Sequence, residues 1–198
     1  ALFDLLRWAS PFFLLHRFLR KRPTHFVVDA WVLAHFLASL SAVVCIRVSQ
    51  CSSLWYIILV YSYIRMFEIT VYQTNVLLFD EYRISNRGQE YYLRSYRRTV
   101  LLLLHNYFEI ILWFAASYLV LSGDFAFEGP PRSLAGVIYS SFAIMSGFGS
   151  PGVKPLTTLG LYILWAQSLV GLFMTLLSLA RFVSIMPAPR SLEQDYER

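Results

Sequence analysis

The chain has 198 residues, of which 57% are hydrophobic, 17% aromatic and 15% charged, and its mean hydropathy is +0.53. Soluble domains are about 45–50% apolar and about 25% charged, so this composition argues against a soluble enzyme and for an integral membrane protein. The net charge of +5 and isoelectric point of about 9.3 would suit nucleic acid in a soluble chain. In a membrane protein, basic residues held on the cytoplasmic side account for them, and no nucleic-acid partner is expected.

Ala1 to Arg22 mixes Leu2, Leu5, Trp8, Phe12 and Phe18 with Asp4, Arg7, Arg17 and Arg20, and Pro11 interrupts it. That pattern predicts a segment lying in the membrane interface against lipid. It lacks a small-residue cleavage site after its apolar part, so no cleavable signal peptide is expected. Four apolar runs reach the roughly 20 residues that a spanning helix needs: Phe26 to Ile46, Leu54 to Phe79, Val100 to Leu121 and Leu156 to Val183. Cys45 and Cys51 match no metal or redox spacing. A basic linker, residues 81–98, joins the second and third runs and carries Arg83, Arg87, Arg94, Arg97 and Arg98. These arginines flank a span rather than lying inside one, so orientation and contact with lipid headgroups explain them better than voltage sensing.

Residues 99–186 form a second unit after the peripheral pair of helices in 23–80, and 187–198 form a short tail. With four spans, the N-terminal segment, the basic linker and the tail share one side, leaving Arg47, Arg132 and Lys154 on the other. The asymmetry predicts that both termini are cytoplasmic. The compact size suggests a plasma membrane of the bacterial inner type.

Between the third and fourth spans lies Leu134 to Met145, apolar but too short to cross, which reads as a re-entrant helix. Pro130 and Pro131 precede it, as suits a helix start. After it comes Met145-Ser146-Gly147-Phe148-Gly149-Ser150. Glycines adopt backbone angles that other residues resist, and alternating them lets successive carbonyls face one side. Non-helical backbone at membrane depth is tolerated only inside protein or along a water-filled path. The negative end of the short helix would favour a cation there.

The order of short helix, Gly147-Phe148-Gly149, Pro155-Leu156-Thr157-Thr158-Leu159-Gly160 and a later Gly171 resembles the pore domain of potassium channels. The resemblance covers Val100 to Val183 at most. It implies an all-α membrane protein with four transmembrane helices, a re-entrant pore helix and a filter loop, assembled as a homotetramer. Met145, Ser146, Gly147, Phe148, Gly149 and Ser150 would form the selectivity filter. Main-chain oxygens of Ser146, Gly147, Phe148 and Gly149 would bind permeant potassium ions, with no other cofactor. Gly171 would be a gating hinge. Met145-Ser146 stands where the family has Thr-Val, and Ser150 where it has Asp or Asn, so conduction of monovalent cations is expected more firmly than strict potassium selectivity. A non-selective cation channel and a non-conducting scaffold or partner subunit stay open. Asp124 and Glu128 are acidic candidates for concentrating cations at the outer mouth.

Ionisable residues inside spans are expensive and face protein or water. His35, Arg65, Glu68, His105 and Glu109 are such a set. Arg65 and Glu68 share a helix face, as do His105 and Glu109. The set reads as a polar network docking the first two helices onto the rest, or as a proton sensor. No catalytic motif accompanies it, so no enzyme is expected.

Overall fold

A computed structural model describes residues 25–48, 52–74, 96–128, 133–150 and 152–185. The expected interfacial segment, most of the basic linker, Cys51 and the tail lie outside them. Helix α1 is His25–Val48, α2 is Ser52–Thr74, α3 is Tyr96–Val120, α4 is Leu134–Met145 and α5 is Thr158–Ile185. Four of these are long and apolar enough to cross a membrane, as the apolar runs predict. The fifth, α4, has the bounds expected of the short helix.

In a spanning helix nearly every position is apolar, so composition does not say which helix lies innermost. Burial does: 61% of the α3 span is buried, against 28 to 33% of the other three. Helix α3 packs against α1, α2 and α4, and α4 packs against α5. The core gathers Ile110, Trp113, Phe114 and Tyr118 of α3 with Val43 of α1, Ile69 of α2, Val137 of α4 and Met174 of α5. The outward faces of α1, α2 and α5 carry exposed Leu, Ile, Val, Tyr and Phe side chains, an apolar surface suited to lipid or to further protein.

Among the described residues, a short β-ribbon departs from an all-helical chain. After a 3₁₀ turn at Ser122–Asp124, strand β1, Phe125–Phe127, pairs antiparallel with β2, Val153–Pro155. Ala126 sits opposite Lys154, and Phe125 opposite Pro155. Three-residue strands are too short to show an alternating pattern in sequence. The ribbon ties the end of α3 to the start of α5, and Leu156 N–H donates to the Asp124 carbonyl at 2.8 Å.

Candidate functional site

The site is built on α4 and the turn after it. Ser133, in extended backbone, caps the helix by accepting from Gly136 N–H at 3.0 Å. At the other end, Gly147 N–H donates to the Ile144 carbonyl at 3.2 Å and Phe148 N–H to the Ala143 carbonyl at 2.8 Å. With Gly147 at φ 79°, this is the Schellman helix end, which needs a left-handed residue just past the helix. Gly149 and Gly152 follow with φ 96° and 73°, and Ser150 Oγ donates to the Val153 carbonyl. The chain therefore turns at the end of α4 and runs back to β2 and the start of α5.

The depth of that turn is set by Gly171. A Cβ there would lie 2.3 Å from the Met145 carbonyl oxygen and 3.0 Å from the Met145 carbonyl carbon. Two backbones meet at this point, and only glycine leaves room. Gly171 lies about 20 Å along α5 at 1.5 Å per residue, close to the midpoint of its 28 residues. The 12 residues of α4 span about 18 Å, so α4 covers a similar length before the chain turns. Helix α5 is continuous through Gly171, whose visible task is close approach.

The six expected filter residues do not behave alike. Met145 is 1% exposed, its side chain belongs to the core, and its carbonyl accepts from Tyr107 Oη at 3.1 Å. Met145 also borders an open cavity of about 380 Å³, lined with it by Ile144, Ser146, Gly147, Gly149 and Ser150 and by Leu164, Ser168, Leu172 and Thr175 of α5. Phe148 is 80% exposed.

Behind the turn runs a polar chain that sequence reasoning missed. Tyr118, Ser141 and Gln167 are each fully buried. Tyr118 Oη donates to Gln167 Oε1. Gln167 Nε2 donates to the Ser141 carbonyl at 2.8 Å and to Ser141 Oγ at 2.9 Å. Ser141 Oγ donates onward to the Ile111 carbonyl at 2.7 Å. The available signal was a lone amide in an otherwise apolar span, which marks an inward-facing position.

The Pro-x-Thr-x-x-Gly segment has a local mechanical account. Thr157 Oγ1 accepts from Gly160 N–H at 3.1 Å, capping α5, and donates to Asp124 Oδ1 at 2.6 Å. A Cβ at Gly160 would sit 2.6 Å from the Asp124 carbonyl oxygen. Both acidic candidates for an outer mouth are thus engaged: Asp124 by Thr157, and Glu128 by Lys154 at 2.9 Å.

The intramembrane polar residues fall into separate groups. Arg65 Nε and Nη2 donate to the two Glu109 carboxylate oxygens at 2.8 and 3.2 Å, and Nη1 donates to Glu68 at 2.7 Å. Trp113 Nε1 also donates to Glu109, at 3.2 Å. This forked pairing links α2 to α3 at residues no more than 6% exposed. His35 Nδ1 donates to the Trp31 carbonyl at 2.8 Å, leaving Nε2 to accept from Tyr61 Oη at 2.7 Å. His105 does not join Glu109. Its Nδ1 donates to the Leu101 carbonyl of its own helix, and its ring packs on Phe36.

Among the described residues, no group of three or more His, Cys, Asp or Glu side chains is placed to hold a metal ion. Oxygens at the turn come from backbone and hydroxyl groups. No protein-family model, curated protein or solved structure matches this chain.

Proposed function

We propose that this chain is one subunit of a tetrameric pore that passes monovalent cations, potassium foremost, passively across a membrane. The observation that carries the reading is the depth of the turn. Helix α4 ends beside the middle of the longest spanning helix, and the chain then turns back through three left-handed glycines. In a membrane, non-helical backbone at mid-depth must be buried in protein or line water. Phe148, Gly149 and Ser150 are exposed on the single chain, so further copies are needed to enclose them. One chain supplies one loop, and four loops about an axis would stack rings of carbonyls able to replace the hydration shell of a cation.

In this arrangement, α4 points its negative dipole end at the ion path. Ser146 to Gly149 supply main-chain oxygens. Ser168 and Thr175 of α5, on the same cavity wall, place hydroxyls along the path. The chain is oriented with both termini cytoplasmic and the β1–β2 ribbon outside, following the Lys and Arg asymmetry. Lipid covers the outward faces of α1 and α2, and a bacterial inner membrane is the proposed setting.

A second reading, weakly selective conduction, is favoured by Met145. Its side chain is turned into the core and adds no oxygen where the potassium-channel pattern has a threonine.

The test is ion flux through the purified full-length protein in liposomes, with potassium and sodium gradients applied separately and Gly147→Ala as the control. Potassium flux alone supports the selective pore, and equal fluxes support the weakly selective one. Folded tetramer with no flux above the control would refute conduction under those conditions and favour a scaffold or partner subunit.

A further inference from the structure

Two of the contacts between α4 and α5 lie one turn apart on both helices. Ser141 and Met145 are four residues apart on α4. Gln167 and Gly171, their respective partners, are four apart on α5. A single close contact fixes where two helices touch but lets one pivot on the other. Two contacts in the same order, about 5.4 Å apart along each axis, also fix the angle. The angle of α4 decides where the turn after Met145 is carried. The backbone contact at Gly171 cannot be adjusted by a side chain, so Gln167 is the adjustable member of the pair.

The amide of Gln167 has only one workable orientation. Nε2 faces a carbonyl and a hydroxyl that donates elsewhere, so both acceptors need N–H, while Oε1 faces the Tyr118 hydroxyl. Both amide hydrogens and the carbonyl oxygen are therefore used. With Tyr118, Ser141 and Gln167 fully buried, no water replaces a lost bond, and a satisfied network of this kind specifies one geometry.

We propose that Gln167 is the positioning residue of the turn: through Ser141 it sets the angle of α4 and hence the aperture of the Ser146–Gly149 loop. The consequence for ion selection rests on the pore reading above. The geometric claim does not.

Two readouts separate them. The first uses full-length protein in liposomes, in a Cys45→Ser, Cys51→Ser background with Ser146→Cys as reporter, and follows modification of the introduced thiol by a water-soluble reagent. Gln167→Met keeps the side-chain length and removes the hydrogen bonds. It should change the modification rate at least fivefold in protein that remains folded. Ser141→Ala, the milder variant should Gln167→Met not fold, should change it in the same direction. A merely structural role would lower the unfolding midpoint and leave the rate in folded protein unaltered. The second readout is the potassium-to-sodium permeability ratio with the native loop, which Gln167→Met should lower at least threefold. A reporter rate within twofold of the parent for the folded variants overturns the positioning role, and an altered rate with an unchanged ratio in a conducting protein overturns its consequence for ion selection. An altered rate in a protein whose parent passes no cation upholds the positioning role and counts against the pore.

Discussion

Gly171→Ala separates two views of the same glycine. If Gly171 serves only as a flexible point in α5, alanine should stabilise the helix by about 0.5–1 kcal/mol, because glycine is the poorer helix former. The packing predicts the opposite sign. The new Cβ would stand 2.3 Å from the Met145 carbonyl oxygen, with the Met145 carbonyl carbon and Cα each at 3.0 Å. Relief requires α4 and α5 to separate by about 1 Å to reach ordinary contact distance. The atoms in the way are backbone, so no rotamer change relieves them. Overpacking of this kind costs about 1–3 kcal/mol, and part of that is offset by the gain in helix propensity. The net expectation is a loss of roughly 1–2 kcal/mol, or an unfolding midpoint lower by about 2–8 °C for a chain of this size. Thermal unfolding of the purified protein, followed by circular dichroism, measures it. Gly123→Ala is the companion, since a Cβ there meets nothing within 4 Å, and it should leave the midpoint unchanged. A Gly171→Ala protein as stable as the parent, or more so, would refute the close approach and with it the depth assigned to the turn.

Glu109→Leu removes the forked partner of the Arg65 guanidinium and leaves it Glu68 alone, for an expected loss of about 1–3 kcal/mol, and an unchanged midpoint would show that the pair does not form. Arg65→Leu combined with Glu109→Leu should cost less than the sum of the two single changes, because the Arg65–Glu109 pair is lost only once; strictly additive losses would argue against direct coupling. Thr157→Ala removes the cap of α5 and the bond to Asp124, for an expected loss of about 0.5–2 kcal/mol, read in the same unfolding assay. Lys154→Gln breaks an ion pair whose side chains are 63% and 59% exposed, where such pairs contribute about 0–1 kcal/mol, so a midpoint shift of many degrees would mean that the ribbon depends on more than this pair.

The spans and the short helix were legible because hydrophobic length is a local property. A run of about 20 apolar residues is long enough to cross a membrane whatever surrounds it, and the bounds of α4 could be read from its flanking prolines and glycines. The left-handed turn was legible for the same reason, since Gly147 and Gly149 carry their conformational freedom with them. Spacing also told which residues share a helix face, and it brought Arg65 and Glu68 together. It did not tell which neighbour each face meets. His105 and Glu109 share a face by spacing, yet Glu109 binds Arg65 on α2 while His105 bonds within its own helix.

What only the tertiary structure decided has one physical cause. In a chain this apolar, almost every face of every spanning helix is fit for burial, so periodicity does not choose the packed one. Close backbone approach and hydrogen bonds between helices choose it instead, and both depend on residues distant in sequence. Thus Gly171 owes its place to the Met145 backbone, Gln167 answers to Ser141 and Tyr118, and the Met145 side chain turns into the core. The sequence by itself determined how many helices are long and apolar enough to cross a membrane and where the chain can turn; the packing of α3, α4 and α5 determined how far along α5 that turn lies and which atoms face the cavity beside it.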